Sequence, residues 1–597
     1  MFIVKKKLKS GEYYYLRETK REKDKVISRD IAYLGKNRKE AESKMKEIVS
    51  KLENKNKGGI QKIKNVKLSK VIMDNKDKIE KQEKKPEEKK LTIDDRAKSV
   101  QSIDELTSFC KRKGFVYPSG EIYGSVAGFW DFGNLGVELK NNIKKQWWNF
   151  HVQQREDMAG IDGSIITNPK IWEASGHVAS FSDVSVRCRK CKKYNKVDKQ
   201  ELETAKCGFC QGELDKKSAK DINLMFKTQI GPVEEESLLG YLRPETAQLI
   251  FADFKLVQEN SRLKLPFGIA QIGKAFRNEI SPRDFIFRCR EFEQMEIEYF
   301  IHPEKKKECP YFKELENFEL NIYSEEMQKK GKPSEKMKIK DAIKKGIIKL
   351  QWHAYWLALE TKWFIELGAK PSKFRIRQHL SEERSHYATD TWDLQYEFPF
   401  GWQELEGIAD RGQFDLSQHE KFSGKDMKLF DEETKKRVLP VVVAEPSLGV
   451  ERAFLVFLLD AYNFDEKRNN IVLKLNPKLA PIKAAIFPIV KIDEKLVKMA
   501  REVFADLSKE WNVIYDDSGS VGRRYSRNDE AGTPFCITFD ELSLKQKDCT
   551  IRDRDTTKQI RVKIENLREV IRKLINQELE FEKAGKLVET RVLEGKT

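Results

Sequence analysis

Residues 271–300, QIGKAFRNEISPRDFIFRCREFEQMEIEYF, constrain the fold more than any other stretch of the chain. Apolar and charged residues alternate on both sides of SPRD, whose serine, proline and aspartate favour a turn. The pattern predicts an antiparallel hairpin, with strands running through FRNE and FIFRCREF. On such strands Arg277 and Glu279 share one face, as do Arg288, Arg290 and Phe292. Arginines, a carboxylate and an aromatic ring on one face suit a flat, highly charged ligand. Guanidinium forks grip phosphate, phenylalanine stacks on a base, and glutamate accepts from an exocyclic amine. Cross-strand ion pairs explain the same spacing without any ligand.

A second segment, VVVAEPSLGVERAF at 441–454, reads as a buried strand ending in Glu445, Pro446 and Ser447, with a helix from near Leu448. Arg452 then falls in the first helical turn, where free N–H groups and the macrodipole favour anions. Taken alone, the segment reads more simply as a strand–helix connection with a solvent-facing arginine. Cys188, Cys191, Cys207 and Cys210 form C-x2-C-x15-C-x2-C. That spacing predicts tetrahedral zinc, and its distance from the arginine motifs predicts a structural ion. Cys110, Cys289, Cys309, Cys536 and Cys549 lack such spacing and read as plain thiols.

The chain has 597 residues, enough for several domains. Residues 1–53 read as a basic β-meander and helix, and 54–93 as a charged linker. Residues 94–475 read as an α+β domain around a mostly antiparallel sheet, with the cysteine insertion at about 185–215 and a lysine-rich insertion at about 308–345. Residues 476–597 read as a compact α/β domain. Net charge is +18, and residues 1–90 hold 29 Lys/Arg against 15 Asp/Glu. Such an end suits a nucleic-acid partner; a solvated lysine-rich arm is the plainer account. No apolar run approaches membrane-spanning length, and the first residues lack the apolar core of a signal peptide. With nine cysteines read as thiols and ligands, a cytoplasmic protein is expected.

FRNE followed by RCREF resembles motif 2 of class II aminoacyl-tRNA synthetases, and GVERAF resembles their motif 3. LRPETAQ, LPFGIAQIGKAFRNEISPR, FPFGWQELEGIADRGQFDL and VVVAEPS resemble the dimeric type of glycyl-tRNA synthetase, in family order from about residue 101 to 597. The resemblance implies a glycine–tRNA ligase that makes glycyl-adenylate from glycine and ATP, then charges tRNA(Gly). It implies ATP-binding roles for Arg277, Glu279, Arg288, Phe292, Glu404 and Arg452, with Arg277 and Arg452 stabilising charge in the reaction. It implies glycine-binding roles for Glu245, Glu296, Glu445 and Ser447, and for Arg411 either a grip on the substrate carboxylate or a brace for the acidic cluster. Glu404 and Glu445 are the expected magnesium ligands. Each of these glutamates also has a plainer reading as a surface or salt-bridged residue, and for Glu298, next to Tyr299, that plainer reading is preferred.

The resemblance also implies a homodimer, with Trp147 and Trp148 as interface anchors, and a C-terminal anticodon-binding domain whose GRRYSRNDEAG faces RNA. Leu249 stands where the family usually has glycine. The accessory subunit of mitochondrial DNA polymerase resembles the same family without making adenylate. A non-catalytic relative of that kind is the alternative, opposed by the full set of ATP-gripping residues.

Overall fold

A computed structural model describes residues 2–8, 11–22, 25–35, 102–197, 202–232, 238–384 and 388–588. The chain divides into two units, 1–92 and 93–597. In the first, β1 (Phe2–Leu8), β2 (Gly11–Glu22) and β3 (Lys25–Gly35) form an antiparallel meander in chain order. The helix expected after it and the 54–93 linker lie outside the described residues.

The second unit is built on nine strands: β4 (Met158–Ile161), β5 (Phe267–Phe276), β6 (Glu291–Ile301), β7 (Glu319–Tyr323), β8 (Glu335–Lys338), β9 (Phe374–Gln378), β10 (Asp390–Phe398), β11 (Gly401–Asp410) and β12 (Val441–Gly449). Their order is β8-β7-β9-β10-β11-β12-β6-β5-β4. The β4–β5 and β7–β9 pairs are parallel; every other pair is antiparallel. The 308–345 segment contributes β7 and β8, so it widens this sheet at one edge.

Strand β6 shows how sequence sorts the two faces. Met295, Ile297, Tyr299 and Ile301 point to a large apolar core. That core is shared with helices α1 (Asn134–Trp148), α3 (Gln351–Glu366) and α5 (Val450–Ala461). Phe292, Gln294, Glu296 and Glu298 alternate to the other face. Part of that face is roofed by α2 (Ala247–Ser261) and α4 (Phe414–Ser423), through Phe251, Phe254 and Leu416 packed on Phe267, Ile269 and Phe300. Trp147 is 1% exposed and belongs to the first core, so it cannot anchor an interface. Trp148 lies against Gly160, where a Cβ would collide with its ring.

A six-stranded sheet with its own core follows from Ala484. Arg468, on the turn between Tyr462–Asp465 and Asn470–Leu473, reaches it and donates to Asp529 (3.1 Å) and to the Arg554 carbonyl (2.7 Å). The GRRYSRNDEAG segment is a helix, Val521–Ala531. Its Arg524 is buried and donates to the carbonyls of Pro488, Asp517 and Gly519, while Arg527 pairs with Asp516. Arg524 therefore holds the fold, while Arg527 is braced by Asp516 with part of its side chain exposed. Among the described residues no helix is long and apolar enough to cross a membrane.

Candidate active site

The hairpin strands are shorter than the sequence pattern suggests. β5 stops at Phe276 and β6 starts at Glu291. Arg277, Glu279, Arg288 and Arg290 therefore lie on the connection, which also carries a helical turn, Phe285–Phe287. Side-chain and backbone bonds hold it in place of a ladder. Arg277 N–H donates to the Arg290 carbonyl (2.9 Å), and Arg290 donates to the carbonyls of Glu279 (3.0 Å) and Ala127 (2.9 Å). Arg277 donates to the Pro244 carbonyl (2.9 Å), and its guanidinium lies 5.4 Å from the Phe292 ring centre and 5.6 Å from that of Phe181. One oxygen of Glu279 accepts no hydrogen bond and stands 3.9 Å from Arg288.

Helix α5 starts at Val450, two residues later than the sequence pattern puts it, and Arg452 is in its first turn. Arg452 donates to the Glu404 carboxylate (3.0 Å) and carbonyl (2.9 Å), with its guanidinium 4.6 Å from the Phe287 ring centre. Arg452 draws Glu404 below the usual carboxylate range. Beneath them, Glu451 accepts from Lys140 of α1 (2.6 Å) and from the Glu293 backbone N–H (2.9 Å). One buried carboxylate thus ties α1, β6 and α5 together.

Farther along the floor three strands line up. Glu296 of β6 is opposite Ser447 of β12, which is opposite Gly407 of β11. Ser447 donates to Glu296 (2.7 Å), and Thr246 donates to it through both hydroxyl and N–H. A Cβ on Gly407 would meet nothing within 4 Å, so this glycine borders open space beside Ser447. Glu245 faces the same cup, with His177 3.2 Å from one oxygen and Gln248 3.2 Å from the other. One step along the strands, Glu445 is opposite Ala409. Arg411 reaches Glu445 (2.6 Å) and grips Asp415 with two bonds (2.7 and 2.8 Å).

Electrostatics separates these glutamates. Burial raises Glu245, but His177, then Arg411 and Arg277, outweigh it and hold the carboxyl well below the usual range. Burial, then Glu245, raises Glu296. Burial pushes Glu445 up to about 8 against the pull of Arg411, with Glu296, Glu245 and Asp415 adding to the rise. Glu298 is fully buried and is raised well above the ordinary value by burial and by Glu445. Neither of its oxygens makes a hydrogen bond among the described residues, so it is neither a surface group nor an ion-paired one.

Arg411 is paired with Asp415 and Glu445, the geometry of the bracing role, one of the two expected for it. One expectation changes. Glu404 and Glu445 cannot share a magnesium ion. Their β11 positions, 404 and 409, are five residues apart, roughly 15 Å. Glu445 is also tied to Arg411. Leu249 fills space against Gly163, where a Cβ would lie 2.6 Å from it.

The four cysteine sulfurs lie within 4.8 Å of one another, with Cys188–Cys210 at 3.6 Å and Cys191–Cys207 at 3.5 Å. A zinc ion about 2.3 Å from four sulfurs sets edges of about 3.8 Å, so the donor set fits that ion.

The sequence reading did not assign roles to His177, Arg243, Thr246, Gly407 or Asp415. Arg243 and Thr246 sit in LRPETAQ beside Glu245, which was the available signal. Nothing in the spacing of His177 marks it.

An antiparallel sheet with arginines at one end of its open face and carboxylates at the other is the catalytic architecture of class II aminoacyl-tRNA synthetases. Residues 226–462 match the family described as the tRNA synthetase class II core domain (G, H, P, S and T), and 483–574 match an anticodon binding domain. The chain is 42% identical over 499 residues to the glycine–tRNA ligase of Thermobifida fusca, covering 80% of this chain and 98% of that protein. It is 42% identical to those of Geobacillus thermodenitrificans (79% and 98%) and Borreliella burgdorferi B31 (81% and 99%). The chain belongs to the glycine–tRNA ligase family.

Proposed function

We propose that the arginine end of the sheet face binds ATP and the acidic end binds glycine, for ligation of glycine to tRNA(Gly). Arg277 takes the α-phosphate, Arg288 the γ-phosphate, and Phe292 stacks on adenine under Arg452. Glu279, one of whose oxygens accepts no hydrogen bond, reads the adenine amine. Glu404 would hold the magnesium bound with ATP, which would supply charge neutralisation. Glu245 and Glu296 receive the glycine ammonium, with Ser447 beside the α-carbon. The glycine carboxylate oxygen attacks the α-phosphorus and pyrophosphate leaves. The terminal ribose hydroxyl of tRNA then attacks the carbonyl and releases AMP. No covalent enzyme intermediate is needed, because aligned reactants and fixed cations supply the acceleration.

The observation that carries this reading is Arg277, set against the Phe292 ring at one end of the same β6 face that presents Glu296. Arg277→Ala is expected to lower glycine-dependent pyrophosphate exchange by about 10²–10³-fold. A variant as active as the parent refutes it.

We further assign a structural zinc to the four cysteines, testable by metal content in native mass spectrometry. The family's homodimer is retained, with Ile166, Ile230 and Leu238 as exposed apolar candidates for its contact. Nine free cysteines support a reducing, cytoplasmic setting. Residues 1–53 are assigned as an accessory nucleic-acid module. Deleting residues 1–90 should weaken tRNA affinity and flatten its salt dependence.

A further inference from the structure

The cysteine ribbon leaves and rejoins the catalytic domain through segments 177–181 and 223–226, and both touch active-site residues. His177 follows Gly176, whose φ of +84° turns the chain sharply. The His177 ring is 8% exposed. Its Nδ1 lies 2.8 Å from Ser175 Oγ, and its Nε2 lies 3.2 Å from Glu245. Trp172 meets the ring edge-on with centres 5.3 Å apart, and Phe181 closes another side at 5.2 Å.

The returning strand pins this turn. Asn223 Nδ2 donates to the carbonyls of His177 and Val178, both at 3.2 Å. The next residue, Leu224, accepts from the Asn278 N–H at 2.8 Å, directly beside Arg277. The ribbon root is therefore a wall shared by both ends of the pocket.

Glu245 has His177 on one oxygen and Gln248 on the other, so its carboxylate plane is fixed before any substrate arrives. An ammonium acceptor gains from such fixing, since less ordering remains to be done on binding. Nε2 is the ring nitrogen that faces Glu245, and its N–H is the donor to that oxygen.

We propose that His177 is a positioning residue for glycine binding, orienting Glu245 from the root of the cysteine ribbon. This rests on the reading of Glu245 as the ammonium acceptor. The test is pyrophosphate exchange with separate glycine and ATP titrations, plus melting temperature, for His177→Ala, His177→Gln and Glu245→Gln. His177→Ala should raise the glycine KM at least tenfold and leave the ATP KM within twofold. His177→Gln, whose amide donates to the same oxygen, should recover most of that loss. If Glu245→Gln raises the glycine KM but His177→Ala leaves it within twofold, the positioning role is overturned and the Glu245 reading stands. If Glu245→Gln leaves the glycine KM unchanged, the Glu245 reading itself falls. If His177→Ala weakens both substrates, lowers the melting temperature and is not rescued by glutamine, the residue is merely structural and the proposal fails.

Discussion

Replacing Arg411 with methionine tests whether the acidic cup is held by charge compensation. Arg411 is 2% exposed and makes three charge-assisted bonds, two to Asp415 and one to Glu445. Methionine fills much of the volume but leaves Asp415 without its counter-ion. The folded variant then either keeps a buried, uncompensated carboxylate or binds a proton. The proton route costs about 1.4 kcal/mol per pH unit above the ordinary aspartate value near 3.9, so about 1.5 kcal/mol at pH 5 and about 5.5 at pH 8. Breaking a buried pair by removing one partner costs about 3–5 kcal/mol. The loss should therefore grow from about 1.5 kcal/mol at pH 5 to about 3–5 kcal/mol at pH 8.

The sign is fixed by linkage. A carboxyl raised in the folded state stabilises fully below its unfolded value and loses that contribution as pH rises through the folded one. Glu445, raised to about 8, already imposes such a decline on the parent, and Asp415 adds a second in the variant. Urea unfolding followed by tryptophan fluorescence reads the right part of the molecule, because nine of the ten tryptophans precede residue 403. Arg411→Met/Asp415→Asn should recover at least half of the loss at pH 8. A single variant within about 0.5 kcal/mol of the parent at pH 8, or a loss independent of pH, refutes the reasoning.

Gly407→Ala adds a methyl group where no protein atom lies within 4 Å, so stability should hold within about 0.5 kcal/mol. The same methyl enters the space beside Ser447, so the KM for glycine or ATP should rise at least tenfold; unchanged kinetics would place the substrates elsewhere. Lys483, buried near Lys145 and donating to the carbonyls of Pro477 and Lys478, is lowered to about 7 by burial and then by Lys145. The unfolded amine keeps its proton to about 10.4, so between pH 7 and 10.4 the unfolded state binds more protons and stability rises with pH. The parent should gain on Lys483→Met by up to about 1.4 kcal/mol per pH unit across that window in urea titrations; parallel curves would contradict it.

Much of the site was legible because its chemistry sits on a strand of period two. EFEQMEIEYF alternates core residues with Glu296 and Glu298, and the observed strand keeps that order. The hairpin ends were overextended because Arg277 and Arg288 alternate like strand residues, whereas the bonds of Arg290 to Glu279 and Ala127 hold a loop. Glu298 looked ordinary because a buried carboxyl is written like an exposed one, and only burial and neighbours such as Glu445 reveal that it is raised well above the ordinary value. His177 was silent for a different reason. Its partner Glu245 is 68 residues away, and the cysteine ribbon that joins them carries no pattern linking the two. Tertiary pairing of that kind has no local period to read.

A crystal structure with a non-hydrolysable glycyl-adenylate analogue tests the central claim most directly. The account predicts the analogue's ammonium within hydrogen-bond distance of Glu245 and Glu296, its adenine between Phe292 and Arg452, and its α-carbon facing Ser447 and Gly407 with no room for a methyl group. An ammonium bound away from both glutamates, or an α-carbon opening onto free space, would contradict it.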